Sequence, residues 1–291
     1  MSLNNYEYTV FFCGISKNCV DTVSKNLNFI LDFFSNSRFL SYGIFVDSDS
    51  TDGTKSHLKK FSSNLENVTY EDLDNLEEVY DNRIERIQIS RNRCLELVST
   101  IAQKQNVIYI PLDLDLDLFK YTTVQSFEDL IIYCINKDMP NGLFPFSDPY
   151  YYDIFALRST NWVNINSQYW VQKFKKFIKL GSFFFNYFFI FRHQITSSKY
   201  ELRNSKIKSA FGGMGIYKFD SNFNYYELSK KNPGAVSEHV KFNYQFEELE
   251  IISSWKVPAP KEHLEYKLLN SNEKIKYFFK TVFFDFVNSK K

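Results

Sequence analysis

The segment VIYIPLDLDLDLF, residues 107–119, most constrains what this chain can fold into. It starts as an apolar run and then carries aspartate at every second position, as Asp113, Asp115 and Asp117. Such a run predicts a buried strand that leaves the core, and side chains two apart on a strand share one face. Three carboxylates on one face repel each other unless a cation lies among them, and Mg²⁺ and Mn²⁺ prefer oxygen ligands. The segment therefore predicts a metal site at the carboxyl end of a strand, with a solvated acidic face as the alternative.

Strand and helix patterns alternate in the first half of the chain. Apolar runs predict strands at residues 8–15, 42–46 and 68–70, ahead of the central strand. Helical spacing of apolar residues predicts helices after the first two strands and again at 84–101. Strands separated by helices pair in parallel, so we expect an α/β fold with a doubly wound sheet.

The second half of the chain has a less regular pattern. Apolar runs there predict strands at 142–146, 152–157 and near 249–252, with a last helix at 272–288. Gly212 and Gly213 lie beside another apolar run, where paired glycines let a ligand or a second backbone approach closely. A tight turn is the alternative explanation for them. With no internal repeat and no long linker, we expect one domain with a tail.

Charge and cysteine content narrow the function classes. The 291 residues include 35 basic and 34 acidic ones, and a net charge of +1 gives no field that favours nucleic acid. The four cysteines have no CxxC spacing and are typical of reduced thiols in a cytosolic protein. The amino-terminal residues do not form a signal-peptide pattern. We therefore expect a cytoplasmic protein that binds no nucleic acid.

A basic and apolar stretch at residues 173–191 has three interpretations. Lysines at 173, 175, 176 and 179 precede the run FFFNYFFIF, which is too short to span a bilayer. The run is a buried core segment, the wall of an acceptor groove, or a patch that rests on a membrane surface. Peripheral membrane contact through residues 173–191 is thus one expectation.

Five motifs follow one another in a characteristic order: VDSDSTDGT, ISRNRCLELV, YIPLDLDLD, FGGMGIYKF and SEHVKFN. This order resembles that of the nucleotide-sugar glycosyltransferases of the GT-A fold, especially family two, over residues 8–245. The segments YYDIFALR and RIERIQISRNRCLEL also resemble the fungal capsular alpha-1,3-mannosyltransferase family. The resemblance implies a Rossmann-like, mixed and mostly parallel sheet flanked by helices. It also implies a domain at 1–265, with a nucleotide half at 1–120 and an acceptor half at 121–265, followed by a helical tail at 266–291.

The resemblance implies roles on the donor side of the site. Asp47 would bind the base or ribose of the nucleotide, with Asp49 as the second candidate. Arg91 and Asn92 match a triplet whose arginine lies near the diphosphate or sugar, although a surface salt bridge is the alternative for Arg91. Asp113 and Asp115 fall at the DxD motif that holds Mn²⁺ or Mg²⁺ on the diphosphate, and Asp117 lengthens that motif. Gly212 and Gly213 match the glycine loop near the donor.

The resemblance also implies roles near the transferred sugar. Glu238 would be the catalytic base that removes the acceptor hydroxyl proton, and a helix N-terminal position is its alternative explanation. His239 replaces an expected second acid and would complete the metal shell. Asp153 and Arg158 match the YYDxxALR pattern, near the donor sugar or as a strand-end salt bridge.

The function implied is metal-dependent transfer of a sugar, most simply a hexose, from a UDP- or GDP-linked donor to a glycan, glycolipid or glycoprotein hydroxyl. A haloacid-dehalogenase phosphatase also has a DxD motif, but there Thr or Val usually follows, whereas Leu116 follows here. A calcium loop starting at Asp113 would require glycine at Leu118, so we set it aside. A glycan-binding protein with a transferase-like fold is the third reading. Inversion and retention both remain open.

Overall fold

The computed structural model describes residues 8–103, 106–136, 140–177, 182–219, 225–227 and 236–289, with side chains omitted at 174–182 and after 281. The strands are β1 (Tyr8–Ser16), β2 (Ser41–Asp47), β3 (Val68–Asp72), β4 (Asn106–Asp113), β5 (Gly142–Asp148), β6 (Arg158–Ser159), β7 (Ile207–Ser209), β8 (Ile216–Phe219) and β9 (Leu249–Pro258). The helices are α1 (Val20–Asn36), α2 (Thr54–Ser63), α3 (Leu76–Val79), α4 (Arg83–Ala102), α5 (Val124–Ile135), α6 (Ser167–Phe177), α7 (Ser182–Phe189), α8 (Ser197–Glu201), α9 (Glu238–Asn243), α10 (Lys261–Leu268) and α11 (Ser271–Ser289). A short 3₁₀ turn, Phe191–His193, follows α7.

One mixed sheet joins both halves of the described chain, in the order β3-β2-β1-β4-β8-β5-β9-β7-β6. The first four of these strands pair in parallel, and β5 pairs in parallel with β9. Strand β8 lies antiparallel between β4 and β5, while β7 and β6 extend the far edge antiparallel. The expected α/β fold is confirmed, because a mixed, mostly parallel sheet is flanked by helices. The proposed boundaries at 120 and 265 stay predictions.

The sheet buries apolar side chains on both of its faces, as a parallel sheet requires. Alternate residues of β1 show this: Phe11 enters a cluster with Leu95 of α4, and Phe12 enters a second cluster with Leu27 of α1. Helix α5 joins the second cluster through Phe127. Within the described part of the chain, no helix is both long and apolar enough to cross a bilayer.

The aspartate segment leaves the sheet earlier than its alternating pattern predicts. Strand β4 ends at Asp113, and the N–H of Leu116 donates to the Asp113 carbonyl at 3.3 Å, which closes a turn. The predicted single acidic strand face is therefore wrong, since Asp115 and Asp117 lie after the strand. The turn lets Leu114 and Leu118 both become fully buried.

A buried asparagine, Asn26 of α1, holds this turn in place. Its Nδ2 donates to the carbonyls of Leu114 at 3.3 Å and Leu116 at 2.7 Å, and its Oδ1 accepts from the N–H of Leu118 at 3.1 Å. Thr22, one helical turn earlier, donates to the Leu114 carbonyl at 2.6 Å. Side chains of α1 thus satisfy backbone groups that a neighbouring strand would otherwise satisfy.

Residues 152–157 form a turn rather than the predicted strand. The Asp153 carboxylate accepts from the N–H of Ala156 at 3.2 Å and from that of Gly212 at 3.1 Å. A carboxylate that accepts a hydrogen bond from the backbone N–H three residues later favours a turn over a β-strand. Only Arg158–Ser159 continues into the sheet, as β6.

We predict that Asn26→Leu lowers the free energy of unfolding by about 2–4 kcal/mol, because the leucine leaves buried backbone groups without partners. Asn28→Leu is the matched control, since Asn28 is exposed on the same helix, and we expect it to change stability by no more than about 0.5 kcal/mol. Urea unfolding measures both. Equal effects of the two variants would contradict a holding role for Asn26.

Candidate active site

A cavity of about 650 Å³ opens beyond the carboxyl ends of β1, β2 and β4. Ligand pockets commonly have volumes of about 300–1,000 Å³, and this edge of an α/β sheet is where ligands bind. The strand ends contribute Ser16, Ser48 and Asp113 to the cavity wall. Elements from the second half of the chain close it, with Asp153, Phe211, Glu238, His239 and His263 among the lining residues.

Two of the three predicted aspartate ligands meet at this cavity. Asp113 and Asp115 both line it, and burial together with the charge of Asp113 raises the pKa of Asp115 to about 6. Asp117 does not line the cavity; its carboxylate lies 3.3 Å from the Lys25 ammonium. The turn after β4 therefore separates Asp117 from the other two.

Arg91 lies behind Asp113 and is buried, with only 1% of its side chain exposed. Its Nη2 donates to Asp113 Oδ1 at 2.6 Å, and its Nε lies 3.6 Å from Glu238 Oε1. The guanidinium carbon is 4.8 Å from the ring centroid of Phe211 and 5.8 Å from that of Tyr226. Arg91 therefore bridges two predicted functional carboxylates, and the surface salt bridge considered as its alternative is wrong.

The pair at the start of α9 lies next to this arginine. Burial raises the pKa of Glu238, although Arg91 opposes the shift. Burial, reinforced by Arg91, holds the pKa of His239 well below its usual value, so its imidazole is neutral. The ring stacks on Phe211 with centroids 3.5 Å apart, and Nε2 lies 3.3 Å from Glu238 Oε1. Among described residues, neither ring nitrogen has a hydrogen-bond partner.

The glycine loop packs against the aspartate turn. Gly212 and Gly213 have φ values of 80° and 94°, which favour glycine. The N–H of Asp113 donates to the Gly213 carbonyl at 2.8 Å. A Cβ on Gly213 would lie 2.6 Å from Leu116 Cδ1. The close approach predicted for these glycines is thus made by the protein's own turn.

The two aspartates at the end of β2 and just after it bind neighbouring protein groups rather than line the cavity. Asp47 is fully buried and accepts from the hydroxyls of Ser16 and Ser50, each at 2.6 Å; burial still raises its pKa. Asp49 accepts from the N–H groups of Asn75 at 2.7 Å and Glu77 at 3.1 Å. Neither carboxylate is among the cavity-lining groups. Their role toward a nucleotide stays a prediction.

Asn92 and Arg158 also bond backbone outside the cavity lining. Asn92 makes two hydrogen bonds to the Tyr226 backbone, at 2.9 and 2.8 Å, and so places that ring beside Arg91. Arg158 donates to the carbonyls of Phe155 and Leu157. Asp153 does line the cavity, and among described residues it forms no ion pair with Arg158.

Sequence reasoning missed several cations at the cavity wall. Lys17, after β1, pairs with Glu77, and Arg83 lies close enough to Asp115 to oppose the rise of its pKa. Arg86 also lines the cavity and donates to the Tyr80 carbonyl at 2.6 Å. The spacing of Arg83 and Arg86 on α4 places both on one helix face, which is a signal that the sequence contained.

The carboxylates fit a metal that arrives with its ligand. The described residues contain no group of three or more His, Cys, Asp or Glu side chains arranged to hold a metal ion. Mg²⁺ is usually bound by one or two carboxylates together with substrate phosphates, rather than by an all-protein cage. Asp113 and Asp115 supply that number, and the neutral His239 lines the same cavity.

Comparisons with known proteins give low similarity. No protein-family model matches the chain, and no curated protein matches it. Among solved structures, the chain is similar to S. aureus TarS 1–349 in complex with UDP, at 13% identity and TM-score 0.44, over 89% of this chain and 62% of that one. It is similar to the mannosyltransferase PcManGT from Pyrobaculum calidifontis, in complex with GDP-Man and Mn²⁺, at 12% identity and TM-score 0.46, over 88% and 57%. Mannosyl-3-phosphoglycerate synthase from Rubrobacter xylanophilus matches at 14% identity and TM-score 0.34, over 61% and 50%. The chain therefore spans less than two thirds of each of these chains.

We predict that Arg91→Met lowers the free energy of unfolding by about 3–5 kcal/mol, because it leaves buried carboxylates without their cation. Arg93→Met is the matched control on the same helix. Arg93 is 38% exposed and pairs with Glu71 at 2.7 Å, so we expect a loss of at most about 1 kcal/mol. Thermal and urea unfolding compare the two. A cost for Arg91→Met no larger than for Arg93→Met would contradict a structural role for the buried bridge.

Proposed function

We propose that this protein is a glycosyltransferase that moves a sugar from a nucleotide-diphosphate donor to a hydroxyl acceptor. One observation carries the proposal: Asp113, Asp115, Glu238 and His239 line one cavity at the carboxyl end of the sheet, and the buried Arg91 lies behind it in contact with Asp113 and Glu238. This set combines paired carboxylates for a metal, a buried cation and a carboxylate that can take a proton. In the glycosyltransferases that the sequence resembles, the same combination of residues serves sugar transfer.

The donor diphosphate would lie at the side of the cavity that Asp113, Asp115, Lys17 and Arg83 line. The two carboxylates would hold Mn²⁺ or Mg²⁺, and that ion would offset the charge that builds on the departing nucleoside diphosphate. Lys17 and Arg83 add positive charge for phosphate oxygens. Asp47 and Asp49 would support the loops near the nucleotide from outside the cavity lining, and Gly212 and Gly213 would support the aspartate turn. We propose that the nucleotide is UDP or GDP linked to a hexose.

Glu238 would act as the base toward the acceptor hydroxyl. Burial raises its pKa, and a base whose pKa lies closer to the working pH is a better proton acceptor. Arg91 opposes this rise of the pKa, and its Nε lies 3.6 Å from Glu238 Oε1, which supports a fixed position for the base. His239 is the candidate for a further metal ligand, since a neutral imidazole is the form that binds metal, although in the described residues it does not form a three-residue metal group with Asp113 and Asp115.

Asn92, Asp153 and Arg158 have supporting roles in the proposed function. Asn92 would position Tyr226 against Arg91, and Arg158 would hold the turn after residue 154 through its carbonyl contacts. Asp153 lines the cavity and accepts from the Gly212 N–H, which supports a role toward a donor-sugar hydroxyl. We also propose that the acceptor is a glycan, glycolipid or glycoprotein and that the protein is cytoplasmic.

The phosphatase reading is disfavoured by the first aspartate of the DxD motif. A phosphatase of that type would need this carboxylate as a nucleophile, whereas Asp113 is held by Arg91 at 2.6 Å. A non-catalytic glycan-binding protein would need no metal. A donor screen with Mn²⁺ that measures released nucleoside diphosphate separates the three functions.

We predict that one nucleotide sugar in that screen is turned over, that EDTA stops the turnover, and that Asp115→Asn abolishes it without unfolding the protein. Asp117→Asn is the matched control: its carboxylate points to Lys25, so we expect activity within about threefold of the parent, a change of less than about 1 kcal/mol in the barrier. Metal-dependent turnover that survives Asp115→Asn would contradict the metal assignment.

We predict that Glu238→Gln lowers transfer by about 10²–10⁴-fold while donor and metal binding survive, the range for losing a general base. His239→Ala should instead raise the Mn²⁺ concentration needed for half-maximal rate. Steady-state kinetics across a Mn²⁺ series, with donor binding measured by calorimetry, separates the two roles. A mild effect of Glu238→Gln beside a large one of His239→Ala would move the proton-accepting role away from Glu238.

A further inference from the structure

A second cavity, of about 320 Å³, lies between the α7–α8 connection and the α10–α11 pair. Its polar lining is strongly basic: five of its residues are arginine or lysine, and none is acidic. The basic residues are Arg192, Lys199, Arg203, Lys267 and Lys274. This basic cavity shares no lining residue with the candidate active site.

The five cations of the basic cavity are not paired with carboxylates in the part of the chain that the structure describes. None of its five cations forms an ion pair with another residue that the structure describes. Burial, followed by the charges of Lys274 and Lys199, lowers the pKa of Lys267. Burial and the charges of Arg192 and Arg203 likewise lower the pKa of His193 to about 4. An anion in the cavity would relieve this repulsion between like charges.

Exposed apolar side chains lie directly beside the basic cavity. This apolar patch consists of Phe184, Tyr187 and Phe188 on α7 with Ile275 and Phe279 on α11, each between 40% and 64% exposed. Phe184 packs on Phe278 with ring centroids 5.7 Å apart, which joins the two helices. The Arg192 guanidinium lies 5.6 Å from the Phe188 ring centroid, so the patch and the cavity are continuous.

We propose that the basic cavity and the apolar patch form one docking surface for a membrane that contains anionic phospholipid. The cations would bind the phosphate-bearing headgroups, and the patch would enter the interface between headgroups and acyl chains. A soluble phosphate compound would satisfy the cations alone and leave the aromatic rings in water. The combination of unpaired cations with exposed rings therefore favours a lipid over a soluble anion.

Helix α10 connects the docking surface to the candidate active site. His263, near the start of α10, lines the candidate active site, and Lys267, one turn later, lines the basic cavity. Gln194, which also lines the basic cavity, donates through Nε2 to the His263 carbonyl at 2.7 Å. Docking would hold the candidate active site within one helix length of the lipid surface. The proposal extends the expected contact at 173–191, of which residues 178–181 lie outside the described residues.

The test uses the full chain without any nucleotide sugar, so its outcome is independent of the proposed transfer reaction. Co-sedimentation compares vesicles of phosphatidylcholine alone with vesicles in which about one third is phosphatidylserine, at low salt, where surface attraction is strongest. We expect binding to the anionic vesicles and little to the neutral ones. Lys267→Gln with Lys274→Gln should weaken binding roughly 30-fold, at about fivefold per cation near an anionic surface.

Two controls keep the result specific. Lys59→Gln with Lys60→Gln removes the same charge from the exposed side of α2 and should leave binding unchanged. Phe184→Ser with Phe188→Ser should weaken binding while the five cations stay in place. Circular dichroism and thermal unfolding establish that each variant is folded.

Four outcomes would overturn the proposal. They are equal binding to both vesicle types, equal loss in the two lysine pairs, and self-association of the chain that the phenylalanine variant abolishes, measured by light scattering. The fourth is thermal stabilisation by inorganic phosphate or pyrophosphate without vesicle binding, which would assign the cavity to a soluble anion.

Discussion

The buried guanidinium of Arg91 is the interaction on which the candidate site depends. It bonds Asp113 at the end of β4 and lies beside Glu238 at the start of α9, so it joins the parallel part of the sheet to the second half of the chain. Burying one cation costs several kcal/mol unless carboxylates and rings surround it. Phe211 and Tyr226 supply the rings, and Asn92 fixes the second of them by bonding its backbone. The same contacts leave the two carboxylates facing one cavity.

A second constraint acts on the aspartate turn from the opposite side. Asn26 binds the carbonyls that follow Asp113, while the Gly213 carbonyl accepts from the Asp113 N–H. The turn is thus held by α1 on one side and the glycine loop on the other. A carboxylate pair whose backbone is fixed in this way does not have to be ordered again when a ligand binds. This is a physical reason for the sequence to place a buried polar residue in an otherwise apolar helix face.

The sequence predicts the first half of this fold better than the second. Strands β1 to β4 carry continuous apolar runs, and α1 and α4 carry helical spacing, so local pattern is sufficient there. Strand β8, in contrast, pairs antiparallel between β4 and β5 over only a few residues, which no local pattern encodes. Residues 152–157 have the composition of a strand, yet Asp153 bonds Gly212, which lies 59 positions later. Such long-range hydrogen bonds override local preference.

The site residues were also predicted only in part from the sequence. Asp113, Asp115, Glu238 and His239 were placed by motif order, and the structure brings them to one cavity. Arg91 lies four residues after Ile87 and four before Leu95, so the helical spacing of α4 already places it on the buried face and places Arg93 away from that face. The spacing does not show what accompanies the buried cation: only the fold brings Asp113 of β4 and Glu238 of α9 to it.

The second half of the chain contributes to both cavities. The first half ends at carboxylates that suit a phosphate-bound metal, and the second half closes the cavity over them with α9 and α10. Helix α10 contributes to both cavities, because His263 lines the candidate active site and Lys267, one turn later, lines the basic cavity.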